Sequence, residues 1–278
     1  MKFSIITPSF RQPEWLRLCV ASVADQQGVQ VEHLVQDAGT PGLQPADFFP
    51  ARMEIKPDDG MYDAINHGLD RATGEICAHL NCDEQYLPEA LQRVAQIFEA
   101  EPATDAVLAG TILTRDDGTP ITCRRAILPR PTYAALVNSG VHSCSVFWRR
   151  RLSQEGLRFD PAWKLIGDAA FFLELMRRTS RIRVVDFSTS AFTFTGVNMG
   201  DDPRMVDEAI RRRTMPGSPP EWLRLPSVAL HRVRRFLAGA QRPTTMDVAL
   251  YTLAGPEKRT LFAQSTLSAH WPQTACRR

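Results

Sequence analysis

The stretch from residue 56 to residue 87 constrains this chain more than any other part of it. It opens on two adjacent carboxylates, Asp58 and Asp59, and runs into a helical pattern over residues 61–72 that Thr73-Gly74 should end. An apolar strand over 76–80 follows and stops abruptly at Asn81-Cys82-Asp83-Glu84. Open α/β sheets bind ligands outside the carboxyl ends of buried strands, which is where such a polar cluster would lie. Its oxygen atoms are of the kind that hold a hard divalent cation against a diphosphate.

The flanking sequence has the matching alternation. Residues 3–7 form a short apolar run closed by Pro8, and 14–25 repeat apolar residues at helical spacing behind Pro13. Residues 29–35 read as a second strand ending at Gln36-Asp37-Ala38-Gly39, 52–56 as a third, and 88–100 as a helix with proline in its first turn. Strands alternating with helices specify a mostly parallel sheet with crossover helices. Beyond residue 105 the texture is mixed. A hairpin is expected around Asp116-Asp117-Gly118, a strand over 141–148, an amphipathic helix over 168–178, and strands over 182–186 and 191–195.

Residues 1–198 therefore read as one α/β domain, 199–220 as a linker rich in glycine, proline and charge, and 221–278 as a basic, helical C-terminal extension. Charge divides the same way. From Arg211 onward twelve Lys and Arg face only Glu221, Asp247 and Glu257, a net +9, which leaves −7 on the rest of a chain of net charge +2. Apolar content of 44% supports a sizeable core. The start of the chain lacks the apolar run of a signal peptide, and no window approaches the length of a membrane span. The six cysteines (Cys19, Cys77, Cys82, Cys123, Cys144, Cys276) form no C-x-x-C pair, so a reduced cytoplasmic setting is expected.

Five motifs in order resemble the family 2 glycosyltransferases, inverting enzymes with the GT-A fold. They are residues 3–10, His33 to Thr40, Pro57 to Asn66, Asn81-Cys82-Asp83-Glu84 in place of the family's D-x-D, and Gly167-Asp168 in place of its E-D segment. The resemblance implies sugar transfer from a UDP-, GDP- or dTDP-linked donor to a surface glycan or lipid-linked acceptor. It implies a donor pocket built from Thr7, Pro8, Ser9, Asp37, Asp59, Asn66, Asn81, Cys82 and Asp83. Asp83 would be the protein ligand for Mn²⁺ or Mg²⁺, Asp168 the base that takes the acceptor's proton, and His142 an acceptor-side residue.

The sequence departs from the family pattern at Ala38, Asn81, Gly167 and Thr195, where the family usually has two acids, a glutamate and a metal-approaching histidine. Each assignment also has a structural alternative. Asp37 suits an Asx turn, Asn81 and Asp83 a turn cap, Asp168 a helix N-cap and His142 a core position. The apolar and arginine residues of 222–237 suit either an anionic membrane surface, hence a peripheral location at the inner membrane face, or a helix packed on the body. Nucleic acid is not expected, since aromatic platforms are lacking. Rival functions are a sugar-nucleotide-forming nucleotidyltransferase, against which the absence of a glycine-rich lysine loop counts, and a non-catalytic nucleotide-sugar binder.

Overall fold

The computed structural model describes residues 1–196, 198 and 202–272. Its first half follows the expected alternation: β1 (Lys2–Ser9), α1 (Pro13–Ala24), β2 (Gln30–Asp37), β3 (Arg52–Ile55), α2 (Met61–Arg71) and β4 (Ile76–His79). These strands lie in the order β3-β2-β1-β4, all parallel, so Ser9, Asp37 and His79 end at one edge. Period-2 alternation sorts the side chains between two cores. Phe3, Ile5, Ile76 and Ala78 pack under Cys19 and Val23 of α1, while Ile6, Leu34 and Cys77 pack under Tyr62, Ile65 and Leu69 of α2. Burying each large apolar side chain here contributes roughly 1.5–3 kcal/mol.

The stop of α2 differs in cause from the expectation. Ala72 leaves the helix in an extended conformation, and Gly74 is needed for a different reason: a Cβ there would lie 2.7 Å from the backbone of Phe3 and Ser4. The chain must pass that close to enter β4 beside β1.

The second half contains β5 (Glu84–Tyr86), α3 (Ala90–Ala100), β6 (Ala106–Arg115), β7 (Pro120–Arg124), α4 (Pro131–Leu136), β8 (Val146–Arg149), α5 (Arg150–Gln154), α6 (Gly167–Arg178) and β9 (Ile182–Phe194). The sheet continues β4-β8-β6-β9-β5, with β8 antiparallel to both neighbours and β7 pairing with β6 as the expected hairpin. The strand expected from residue 141 begins only at Val146, because Ser143–Ser145 form a 3-10 turn that swings His142 off the sheet. The two strands expected over 182–195 are one strand, β9, with register shifts against β6 near Gly110.

The C-terminal region is more ordered than its composition suggests. The described part of the segment read as a linker contains α7 (Arg204–Arg213). The extension read as helical is α8 (Arg224–Leu237) followed by a hairpin, β10 (Thr244–Thr252) and β11 (Gly255–Leu267). Val248, Leu250 and Leu267 pack on Leu87, Ile112, Cys123 and Ala191 of the main sheet. Gln85 exchanges two side-chain hydrogen bonds with the backbone of Tyr251 (2.9 Å each). Arg259 pairs both oxygens of Asp25 at 2.6 and 2.7 Å. Ser268 exchanges backbone bonds with Ile121 and Cys123, which brings residues 269–271 back over the sheet.

Candidate active site

A cleft of about 1230 Å³ opens at the carboxyl edge of β1 and β4 and runs beneath α8. One half is acidic. Pro8 and Ser9 end β1; Asp58 sits in the loop before α2; Asn81, Cys82, Asp83 and Glu84 follow β4; Asp168 begins α6. Parallel strands bring the first groups to one edge, and the α6 N-terminus projects Asp168 toward them.

The turn after β4 concentrates strained electrostatics. Asn81 N–H donates to Glu84 Oε2 at 2.7 Å, which closes the turn, while the Asn81 side chain faces the buried His79 ring. Burial pushes the Asp83 carboxyl up to about 6. Burial, reinforced by the neighbouring Asp83 charge, pushes Glu84 up to about 8. Asp83 Oδ2 accepts a 3.2 Å hydrogen bond from Asn198 Nδ2, and Asn198 also spans to Thr193 O and Thr195 N–H. From beyond β9, Asn198, three residues past Thr195, thus reaches Asp83. Among the described residues no cluster of three His, Cys, Asp or Glu side chains is arranged to hold a metal. What Asp83 and Asn81 present is two oxygen donors, one carboxylate and one amide.

Asp168 is half-buried, and its Oδ1 accepts the Ala169 N–H at 2.8 Å. Burial raises its pKa, and the Arg212 guanidinium partly opposes that rise. Ile166, before the helix, offers no side-chain cap. Glu208 of α7 instead pins the loop that leads into the helix, accepting the N–H groups of Lys164, Leu165 and Ile166 at 2.8, 2.9 and 3.1 Å. A carboxylate held just before a helix N-terminus also complements the helix dipole. The absent glutamate at position 167 also has a steric reason: a Cβ on Gly167 would come within 2.6 Å of the Tyr62 ring.

Several expected donor residues lie elsewhere. Asp37 is fully buried and spends both oxygens on its own loop, accepting from Ser9 Oγ, Thr40 Oγ1 and the Gly39 and Thr40 N–H groups at 2.6–2.9 Å. This is the Asx turn, and it acts on the cleft only through Ser9 and Ala38. The Thr7 hydroxyl sits 2.8 Å from His33 Nε2 inside the core. Asn66 bridges to the Phe159 backbone with bonds of 2.7 and 3.1 Å, off the cleft. Asp59 is exposed, and its carbonyl accepts Lys164 Nζ at 2.6 Å. Asp58 faces the cleft in its stead, its pKa raised by burial. Cys82 lies in the cleft wall with Sγ 3.1 Å from Gln12 Oε1.

The other half of the cleft is built by α4, the loop to His142, α8 and residues 269–271. His142 lines it, stacked on Trp271 (centroids 5.8 Å, planes 5° apart) and held neutral by burial, which lowers its pKa to about 4. Arg124, Arg232 and Arg235 line it too, and sequence reasoning did not place them there. Their charge excess was visible, but the fold that turns α8 inward was not.

Residues 4–172 match glycosyl transferase family 2, and the chain belongs to that family. It is 31% identical over 120 residues to a PGL/p-HBAD biosynthesis glycosyltransferase of Mycobacterium bovis, covering 40% of this chain and 47% of that protein. It is 23% identical over 185 residues to an uncharacterized glycosyltransferase of Nostoc sp., covering 60% of this chain and 57% of the relative. The chain thus spans about half the length of the curated relatives it matches. Among solved structures it resembles Staphylococcus aureus TarS 1-349 in complex with UDP-GlcNAc (TM-score 0.59, 19% identity, 85% of this chain and 73% of that one). It also resembles a mannosyltransferase from Pyrobaculum calidifontis in complex with GDP-Man and Mn²⁺ (TM-score 0.56, 15% identity, 85% and 75%). The fold is that of the GT-A glycosyltransferases.

Proposed function

We propose that this chain is an inverting glycosyltransferase that moves a sugar from a UDP-, GDP- or dTDP-linked donor to an acceptor hydroxyl at Asp168. The observation that carries the reading is the convergence of Asp58, Asp83 and Asp168 on one cleft at the carboxyl edge of the parallel strands. Asp168 takes the proton from the acceptor hydroxyl as its oxygen attacks the anomeric carbon. The bond from that carbon to the diphosphate breaks, and the nucleoside diphosphate leaves with the electron pair. Because burial raises the pKa of Asp168, its deprotonated form is reached at higher pH than for an ordinary carboxylate, so the acid limb of the rate moves upward.

Asp83, with the Asn81 amide beside it on the cleft, would hold Mn²⁺ or Mg²⁺. An all-oxygen, carboxylate-poor donor set suits a hard cation that keeps several waters. When bound, the cation supplies charge neutralisation at the diphosphate. Its binding also offsets the cost of ionising a buried Asp83.

The acceptor reading is a surface glycan or its lipid-linked precursor, with peripheral contact at a membrane face. No described helix is long and apolar enough to cross a membrane. Helix α8, however, turns Leu225, Phe236 and Leu237 outward at 70–76% exposure and its polar His231 and Arg235 inward. That orientation is the reverse of a surface helix on a soluble body. Donor hydrolysis tests the reaction. With Mn²⁺ present, wild-type protein should release UDP or GDP, and Asp168→Asn should lower that rate at least ~100-fold with nucleotide affinity retained. Nucleotide binding without turnover in the wild type would favour the non-catalytic binder.

A further inference from the structure

The cleft is electrically divided, and its basic half has no counter-charge among the described residues. Arg124, Arg232 and Arg235 line it, and none of them forms a salt bridge among the described residues. Arg124 Nη1 donates to the Ala269 carbonyl at 3.0 Å, and Arg235 donates to the carbonyls of Arg125 and Ala240 at 3.3 and 3.0 Å. The charges of Arg124 and Arg235 are thus fixed in place but not neutralised by a salt bridge among the described residues. Arg235 is 7% exposed, and burial together with the facing Arg235 charge lowers Arg124 to about 10. His231, 5% exposed, stacks on Tyr133 at 4.0 Å and leaves Nδ1 buried without a partner while lining the same space. Arg124 is half-buried and Arg232 exposed at the rim, so one buried and one half-buried guanidinium face the cleft, an arrangement that costs free energy unless an anion completes it.

We propose that this basic half is an anion subsite that receives a phosphoryl group carried by the acceptor. The proposal rests on the glycosyltransferase reading and specifies its acceptor. The loop 139–143 joins the two halves: Ser139, Val141 and Ser143 border Asp168 on one side, and 137–143 line the cleft beside Tyr133 and His231 on the other. An acceptor whose hydroxyl meets Asp168 therefore extends along this loop toward the arginines. Val137, Val141, Phe192, Val228 and Trp271 give the intervening wall an apolar character. A planar guanidinium pair at the end of such a wall suits phosphate oxygens, which accept several charge-assisted hydrogen bonds at once. The donor diphosphate has its own place at the acidic half, next to Asp83.

The full chain is titrated calorimetrically, without metal, with dodecyl phosphate and with glycerol 1-phosphate, and separately with UDP and GDP in Mn²⁺. Saturable binding of dodecyl phosphate alone supports a lipid-borne phosphate. Comparable binding of both phosphates supports a water-soluble phosphorylated glycan. Arg124→Gln should weaken the phosphate ligand about tenfold or more, as loss of one charge-assisted contact does. Arg232 makes no side-chain hydrogen bond among the described residues, so Arg232→Ala keeps the fold and should weaken it as well. Nucleotide affinity in both variants should stay at the wild-type value. Absence of phosphate binding in a wild type that still binds nucleotide would overturn the subsite while leaving the transferase reading intact. Loss of nucleotide affinity in the arginine variants would overturn it too, by assigning these side chains to the donor.

Discussion

Replacing Asp83 with asparagine should stabilise the metal-free protein and abolish its response to Mn²⁺. The carboxylate sits in the turn after β4 with one hydrogen-bond donor, Asn198, and without a cationic partner among the described residues. Burial raises its pKa from 3.8 to about 6. A rise of about two units corresponds to roughly 3 kcal/mol of unfavourable ionisation, and partial solvent access trims this to about 1–3 kcal/mol. The unfolded chain releases this proton near pH 3.8, whereas the folded chain keeps it until about pH 6. In that window the native state binds more protons, so stability falls as pH rises. Above the window the cost is fully present; below it there is none. Asp83→Asn should therefore raise the melting temperature by about 2–8 °C at pH 8 and leave it nearly unchanged at pH 3.5. Removing the Asp83 charge also relieves Glu84, whose own pKa that charge raises. Melting with Mn²⁺ and UDP or GDP completes the test: the wild type should gain stability and the variant should not. A variant less stable at pH 8, a pH-independent difference, or a preserved Mn²⁺-dependent gain would each refute the reasoning.

Three further perturbations probe how the site is held. Glu208→Ala leaves three backbone donors in the loop before α6 unpaired and should cost about 1–3 kcal/mol, with donor hydrolysis falling and nucleotide affinity unchanged. Hydrolysis at the wild-type rate would show that Glu208 does not position Asp168. Gly167→Ala should destabilise by about 1–3 kcal/mol through the Tyr62 ring, and much of that loss should disappear in a Tyr62→Ala background; a purely additive pair in urea denaturation would contradict the steric account. Arg259→Ala strips Asp25 of its ion pair and should cost about 3 kcal/mol, read as faster amide exchange across 244–267; unchanged protection would mean the hairpin is held by its apolar face alone.

The parallel half of the fold was legible because its strands are short apolar runs punctuated by Pro8, Gly39 and Gly74, with helical spacing between them. The places of Asp83 and Asp168 on the cleft were legible because one follows a buried strand and the other begins a helix. Three things were not. Asp58 and Asp59 are adjacent carboxylates, and only the backbone before α2 decides that Asp58 turns inward and Asp59 outward. Asp37 sits at the right edge, but the local donors of Ser9, Gly39 and Thr40 capture it, a competition that motif position does not reveal. The C-terminal half of the cleft depends on long-range contacts. The alternation of Met246, Val248 and Leu250 was the available signal for β10. The inward turn of α8 contradicts its own amphipathic pattern, because its polar face, not its apolar one, meets the body.

Calorimetric titration of the full chain with UDP and GDP, each with and without Mn²⁺, tests the central claim most directly. The account predicts saturable binding of at least one nucleotide that strengthens with Mn²⁺ in the wild type and loses that strengthening in Asp83→Asn. Failure of both nucleotides to bind under either condition would contradict the donor site, and with it the reading of the cleft.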